Sequence, residues 1–503
     1  MQRISPEHAL LNTRRFLDHS KVRLRYFLFE NFGKGTIVAK LMDVIVIGCG
    51  ASGVAALRRL HDAGLKVLGL EAAGRIGGRV HTVPFGANVV DIGGAWCHGE
   101  KDNIVYEIAN PLNLLGRPEP EEHWYLLSNG GFAPDTVVKD MISAVAESVT
   151  EAKKEGTTSI AECVSQAAES TEILKSSDLT PPLIEWYARA NHLGGEEDPK
   201  KGKSLKGLVE NWVCEGEPML NWKGRGYKTI LDVLLNRYPD PSKEVPVEIL
   251  LNKEVDSIRW GTHQFGNDSS NPLVHVSCKD GSLFMAKSVI ITVSLGVLKE
   301  RHQELFKPPL PTNKITAINN LELCILDKIY VEFTEAWWSK STAQFNILWR
   351  DQDKAKFSDM KWVTLIFGAN TVANQPNVLL FWLYGVGAKE MEQVSQEDVE
   401  KGIGMLLKLF MENFDVTPVK KVLRSQWASD PLVRGAYSYR SVSTEMNGGS
   451  ATDLSEPLYH DGSFPVVCFA GEATSHHRHN SVHGAVEAGF READRLIESF
   501  KKL

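Results

Sequence analysis

Short, almost wholly apolar runs recur along the chain at residues 44–47, 66–70, 247–251, 289–293 and 466–470. They are rich in Val, Ile and Leu and show no polar alternation, which is how strands covered on both faces of a parallel sheet read. After the first run an Ala- and Leu-rich pattern of helical period extends to about residue 63, and another opens at Ser481 and reaches Ile497. Residues 136–175, rich in Ala, Glu, Lys and Ser, are helical in pattern. Residues 321–385 instead alternate at the period of strands, as in Lys328-Ile329-Tyr330-Val331-Glu332-Phe333. Residues 273–284, with Asp280-Gly281 in the middle, predict a hairpin. Neither an internal repeat nor a low-complexity tract is present. Strand, helix and strand in succession predict an α/β fold, and 503 residues exceed one ordinary core, so two domains are expected.

The turn after the first strand decides what such a fold can hold. Gly48 permits a tight turn, Gly50 lets backbone approach phosphate, and Gly53 lets helix and strand pack closely, with Ser52 inside the same turn. Glu71 ends the second strand about 20 residues on, where a carboxylate accepts hydrogen bonds from ribose hydroxyls. That order of elements describes a cradle for the pyrophosphate of a dinucleotide. Gly74-Arg75-Ile76-Gly77-Gly78-Arg79 follows at once, a second glycine-rich turn whose two guanidinium groups suit a diphosphate. Extra contacts favour a flavin, which stays, over a nicotinamide, which must leave. Near the other end, residues 466–473 read as a buried strand entering a turn that carries Glu472. The helix opening at Ser481-Val482 offers free N–H groups to an anionic flavin or to its ribityl and phosphate oxygens. Both ends of the sequence are therefore expected to build one cofactor site.

Composition narrows the picture by exclusion. A net charge of −7 leaves no basic stripe for nucleic acid and suits a cationic substrate. The seven cysteines are scattered, without C-x-x-C or zinc spacing, so no disulfide framework is expected, and Cys49 and Cys97 are expected to pack beside the cofactor. No uninterrupted apolar stretch of about 18 residues occurs, so no membrane span is expected and a cytoplasmic location is the default. Residues 1–40 carry eight basic residues against three acids and read as an extension ahead of the fold, with a mitochondrial leader as the alternative. Lys501-Lys502-Leu503 resembles a peroxisomal address only loosely. His476-His477-Arg478-His479 with His483 fits no common zinc pattern, so no metal is expected and the segment reads as a solvated or tunnel-lining loop. Glu119, Glu121, Glu122, Glu196, Glu197 and Asp198 can steer cations, although such runs are more often solvated faces.

With these residues in place, the sequence resembles the flavin-dependent amine oxidases, and within them the animal polyamine oxidases of the spermine and N1-acetylpolyamine type. The likeness runs from about residue 42 to 503. Besides the two cofactor ends it is carried by blocks at 91–99 (Asp-Ile-Gly-Gly-Ala-Trp-Cys-His-Gly), 292–299 (Thr-Val-Ser-Leu-Gly-Val-Leu-Lys), 327–333, and Trp427 with 434–439 (Arg-Gly-Ala-Tyr-Ser-Tyr). The alternation of cofactor-type and other segments predicts a Rossmann-like FAD-binding domain from residues 41–125, 228–300 and 425–503. A discontinuous substrate domain of mixed sheet and helices is expected from 126–227 and 301–424. The resemblance implies contacts to FAD from Gly94, Ala95, Trp96, Val255 and Trp427, in addition to Gly48, Gly50, Ser52, Gly53, Glu71, Arg79, Glu472, Ser481 and Val482.

Amine oxidation removes a hydride equivalent from the carbon beside nitrogen and requires a neutral amine, whereas free amines are mostly protonated near pH 7. A desolvated lysine has a depressed pKa and can accept a proton or hold a water. Periodicity alone reads Lys328 as an exposed strand lysine; the resemblance implies the family's active-site lysine, bridged through water to the flavin. His98, beside Trp96, reads as a packing residue, and the resemblance implies contact with the substrate amine, where neutral imidazole accepts a hydrogen bond. Tyr437 reads as a core tyrosine and, by resemblance, as one wall of an aromatic cage. The second cage aromatic of monoamine and plant polyamine oxidases falls at Ser481, which leaves the cage incomplete. Ala436 stands where monoamine oxidases carry the flavin-linking cysteine, so FAD is expected without a covalent bond. The membrane helix of monoamine oxidases and the helical tower of histone demethylases are missing from the pattern.

The expected activity is oxidation, with O2, of a secondary amine of spermine or an N1-acetylated polyamine to an aldehyde, a shorter amine and H2O2. An oxidase of another amine or an amino acid, and a non-catalytic flavin-binding protein, are the alternatives. No arginine suited to an amino-acid carboxylate can be placed.

Overall fold

The computed structural model describes residues 41–155, 159–170, 172–194, 197–261, 273–338, 342–460 and 462–502; the expectations for residues 1–40, Glu196 and Leu503 lie outside the described residues. The first apolar run forms the strand Leu41–Ile47, buried from Val44 onward. It pairs in parallel with Val67–Leu70 and with Leu283–Ile291, and Ile47 stands opposite both Leu70 and Ile291. The strand order is Phe306–Lys307, Val255–Trp260, Val274–Cys278, Leu283–Ile291, Leu41–Ile47, Val67–Leu70, Glu248–Leu250. Phe464–Phe469 and Leu458–His460 join at the far half of Leu283–Ile291, giving nine strands among the described residues.

Leu283–Ile291 explains a change of pattern within one strand. Its first half, antiparallel to Val274–Cys278, alternates between buried and half-buried; its second half, flanked by parallel strands, is buried throughout. The hairpin predicted here forms, with Gly281 at φ +84° and the Asp280 carboxylate accepting the Ser282 N–H. On one face, helix Ala51–Asp62 packs against helix Val482–Phe500 so closely that a Cβ on Gly489 would stand 2.2 Å from the Ser52 carbonyl oxygen. The latter helix continues past Ile497 because the Lys501 N–H still closes onto the Ile497 carbonyl.

A second sheet runs Val419–Arg424, Leu326–Phe333, Gln375–Tyr384, Ile366–Val372, Thr342–Ile347, Glu121–Leu126, antiparallel except for its last pair. Ile329, Val331, Phe381 and Leu383 pack on one face with helix Gln396–Phe410, while Tyr384 on the other joins helices Asp135–Glu155, Ile160–Ser170 and Thr180–Ala190. The strand pattern expected across 321–385 is interrupted by a helical insert, Asp351–Lys354 with the turns Ala355–Phe357 and Lys361–Leu365, fastened by buried Phe357 and Trp362. Sheet membership crosses two expected segment boundaries: Glu121–Leu126 pairs with Thr342–Ile347 in the second sheet, and Phe306–Lys307 with Val255–Trp260 in the first. Parallel partners lie far apart in sequence, and a short strand's own pattern does not name its partner. Among the described residues no helix is long and apolar enough to cross a membrane.

Candidate active site

The first helix begins with no side-chain cap on Gly50 and no acid in its first turn, so its leading N–H groups are left to whatever fills the space ahead of them. Ser52 Oγ is buried there without a hydrogen-bond partner among the described residues. The glycines are required by contact: a Cβ on Gly53 would lie 2.0 Å from the Gly48 carbonyl oxygen, and one on Gly93 would lie 1.7 Å from that of Arg79. Glu71 is buried at the end of its strand and accepts from the Cys49 N–H (2.8 Å) and the Ala73 N–H (2.9 Å), which fixes its carboxylate at the cradle's edge.

The two arginines of the second glycine turn are less free than the sequence suggests. Arg75 donates to the carbonyls of Ile76 and Gly78 and so braces its own turn. Arg79 donates to the Ala436 carbonyl (2.9 Å) and pairs with Glu472 (2.8 Å), tying the two ends of the chain together. Burial alone would raise the Glu472 pKa. The Arg79 guanidinium, Ser438 and the Asn480 N–H (2.9 Å) outweigh it and hold the carboxyl below its ordinary value.

Lys328 is not an exposed strand lysine. Its residue is 6% exposed, and Nζ donates to the carbonyls of Asp91 (2.8 Å) and Gly93 (2.6 Å) beside the stacked rings of Trp96 and Trp382, 5.5 and 5.2 Å from their centroids. Burial pulls its pKa down to about 8, against a partial opposing pull from Asp91. A neutral amine has two N–H donors, and two carbonyls satisfy both while leaving its lone pair free. Burial likewise raises Asp91 to about 6, although Thr82 and the Tyr227 N–H bind its carboxyl group.

His98 Nδ1 donates to the Pro218 carbonyl (2.7 Å), which leaves Nε2 as an acceptor on a ring open to the cavity. Desolvation within the cleft lowers its pKa, the Lys328 charge acts in the same sense, and Pro218 opposes them. The Tyr437 hydroxyl shares a hydrogen bond with His192 Nδ1 (2.7 Å); burial, aided by Lys203, holds His192 at about 3 and therefore neutral.

Apart from Gly53, every site residue singled out in the sequence lines one cavity of about 340 Å³. Gly53 stands one position behind, packed on Gly48. Ser481 caps the last helix through the Gly484 N–H, and Val482 begins that helix beside Gly94. Val255 lies in the wall with Lys253 and Glu254. Cys49 and Cys97 are fully buried behind this wall, which their neighbours Gly48, Gly50, Trp96 and His98 form. None of the described acids at 119–122 and 197–198 lines the cavity. His477 stacks on Trp212 at 3.8 Å and His483 faces Cys214, and among the described residues no three metal-ligating side chains converge.

A family model described as flavin containing amine oxidoreductase matches residues 51–497. The chain belongs to that family. Among its relatives, the peroxisomal N(1)-acetyl-spermine/spermidine oxidase of Bos taurus is 30% identical over 488 residues, covering 90% of this chain and 94% of the relative. The human protein of the same name is 29% identical with the same coverage, and polyamine oxidase 1 of Zea mays is 28% identical over 485 residues, 91% of each chain. A solved structure of a putrescine oxidase redesigned in its cofactor binding superposes with a TM-score of 0.62 at 19% identity, covering 92% of this chain and all of that one, which fixes the fold.

As an amine oxidoreductase the chain requires a flavin, and the site fits one: uncapped N–H groups, an orphaned Ser52 hydroxyl, and Gly77 and Gly93 with no room for a Cβ all face one cavity. Two contributors escaped the sequence reading. Trp382 lies in the apolar run of strand Gln375–Tyr384, where nothing marks it as cavity-facing. His192, at φ +52°, stands just past helix Thr180–Ala190, far in sequence from the Tyr437 it contacts.

Proposed function

We propose that this oxidoreductase is an FAD-dependent polyamine oxidase that opens a C–N bond at a secondary amine of spermine or an N1-acetylated polyamine. O2 takes up the two electrons and water hydrolyses the resulting imine, so the products are an aldehyde, a shorter amine and H2O2. The observation that carries this reading is Lys328, buried on a strand of the second sheet with Nζ fixed on the Asp91 and Gly93 carbonyls. The names of the bovine, human and maize relatives supply the substrate class.

FAD, when bound, supplies the electron acceptor for the amine and the donor for O2. Residues 41–125, 228–300 and 425–503 form its domain in this reading, and 126–227 with 301–424 the substrate domain. The first helix and Ser52 hold its pyrophosphate, Glu71 a ribose, and Val482 with the last helix N-terminus the ring end. Among the described residues no cysteine lines the cavity, and Ala436 offers no bonding group, which supports non-covalent binding. The substrate arrives as a cation. His98 Nε2 accepts a hydrogen bond from its amine, and Lys328, close enough to neutrality, takes up a proton directly or through a water. Trp96, Trp382 and Tyr437 exclude bulk solvent and line the reacting carbon. The arginines of the cavity, Arg75, Arg79 and Arg301, are engaged with backbone or acids on the cofactor side, which disfavours an amino-acid substrate.

Anaerobic mixing with spermine, N1-acetylspermine and a monoamine tests the proposal. Rapid bleaching of the flavin by at least one polyamine is expected. Bleaching by none of the polyamines would refute it.

A further inference from the structure

Behind Lys328, on the opposite face of its strand, two buried acids meet. Asp327 is fully buried: Oδ1 accepts from Ser425 Oγ (2.6 Å) and the Trp427 N–H (3.3 Å), while no N–H or O–H donor reaches Oδ2 among the described residues. What faces it is Glu392, 5% exposed, from helix Val386–Gln393. Glu392 already uses both oxygens as acceptors, for the Ala428 N–H (2.7 Å) and the Ser429 N–H (2.6 Å). Two anions in such contact are costly in a dry interior, and a single proton turns repulsion into a strong hydrogen bond. Since the Glu392 oxygens are engaged, the proton belongs on Asp327 Oδ2. Burial first, and then contact with Glu392, raise the Asp327 pKa well above its ordinary value.

The bonds of this pair all end on one loop. Ser425 bridges Asp327 and the Lys328 N–H (2.9 Å); Trp427, Ala428 and Ser429 are held by their N–H groups; and Trp427 lines the cavity with Nε1 on the Ile92 carbonyl (3.0 Å). We propose that Asp327 and Glu392 share one proton and act as a positioning pair that fixes residues 425–429, and with them Trp427, in the wall of the flavin cavity. This rests on the proposed function only in taking the cavity's occupant to be FAD. Among the described residues, the other titratable groups near the pair are Arg424, whose guanidinium donates to the Met391 and Val394 carbonyls, Lys328, whose Nζ lies across the strand, and the Cys324 thiol, which burial keeps neutral.

The test uses the full chain. Asp327→Asn keeps a donor toward Glu392, and Asp327→Leu does not. A carboxyl whose folded pKa is raised contributes stability that is full below its unfolded value and lost as pH rises through the folded one. The flavin-free wild type should therefore lose melting temperature as pH rises above about 4, and Asp327→Asn should lose less. This measurement is independent of what fills the cavity. With FAD, Asp327→Asn should bind within about twofold of wild type, and Asp327→Leu about tenfold more weakly with altered tryptophan fluorescence. Should Asp327→Leu not fold, Glu392→Gln, which gives up one loop acceptor, should weaken FAD binding by a similar factor. Equal pH dependence in wild type and Asp327→Asn, equal damage from Asn and Leu, or unaltered FAD binding in Asp327→Leu or Glu392→Gln overturns the proposal.

Discussion

Around Gly48 and Gly53 the protein presents backbone to the cavity: an uncapped helix start, glycines with no room for a side chain, and a strand end fixed by Glu71. Around Lys328 it presents side chains, and they come from widely separated segments. Lys328 and Trp382 arrive on neighbouring strands of the second sheet, Trp96 and His98 on the segment after residue 91, and Tyr437 on a short strand braced by His192. A pyrophosphate is the same in every flavin dinucleotide, so main-chain geometry suffices to bind it. A proton held at a chosen point needs individual groups with shifted affinities, and those can be supplied from anywhere in the fold.

If that contrast holds, the two regions should fail differently when altered. Lys328→Met should slow flavin reduction by about a hundred- to ten-thousand-fold in stopped-flow while leaving the protein yellow. The same experiment across pH sharpens the point. A lysine must be neutral to accept a proton, so the wild-type rate should rise as pH passes through about 8, and that limb should vanish in Lys328→Met. An unchanged limb would assign it to the substrate amine instead. Gly53→Ala should do the reverse. Its Cβ would meet the Gly48 carbonyl at 2.0 Å, so overpacking of about 1–3 kcal/mol should weaken FAD binding about 5- to 150-fold in titration, with the reduction rate of the loaded fraction nearly unchanged. The smallest effect is expected from Tyr437→Phe, which keeps the ring and removes the hydroxyl shared with His192. Reduction should slow by about tenfold at most, with melting temperature lowered because His192 loses a partner.

The same division governs what the sequence reveals. Six of the nine described strands of the first sheet, the hairpin at Asp280-Gly281 and both cofactor helices follow from pattern and glycine spacing, since local backbone demands leave local marks; Val255–Trp260, Phe306–Lys307 and Leu458–His460 carry no such mark. Lys328 is the opposite case. Periodicity reads it as exposed, and only its resemblance to a family block separates it from an ordinary strand lysine; the structure buries it because the Asp91–Gly93 carbonyls close over Nζ from a distant segment. Trp382 and His192 left no mark at all, and neither did the acid pair behind Lys328. The roles of Arg75 and Arg79 are half legible: the sequence places both beside the cofactor but does not show that Arg79 is held by Glu472, 393 residues away.

That last pairing bears on when the enzyme can be made whole. The counter-ion of Arg79, the strand Phe464–Phe469 and the helix packed on Ala51–Asp62 all follow residue 463. A nascent chain halted before that point would carry a finished glycine cradle with two of its walls unbuilt. Cofactor capture therefore waits until residues 464–500 have left the ribosome and docked.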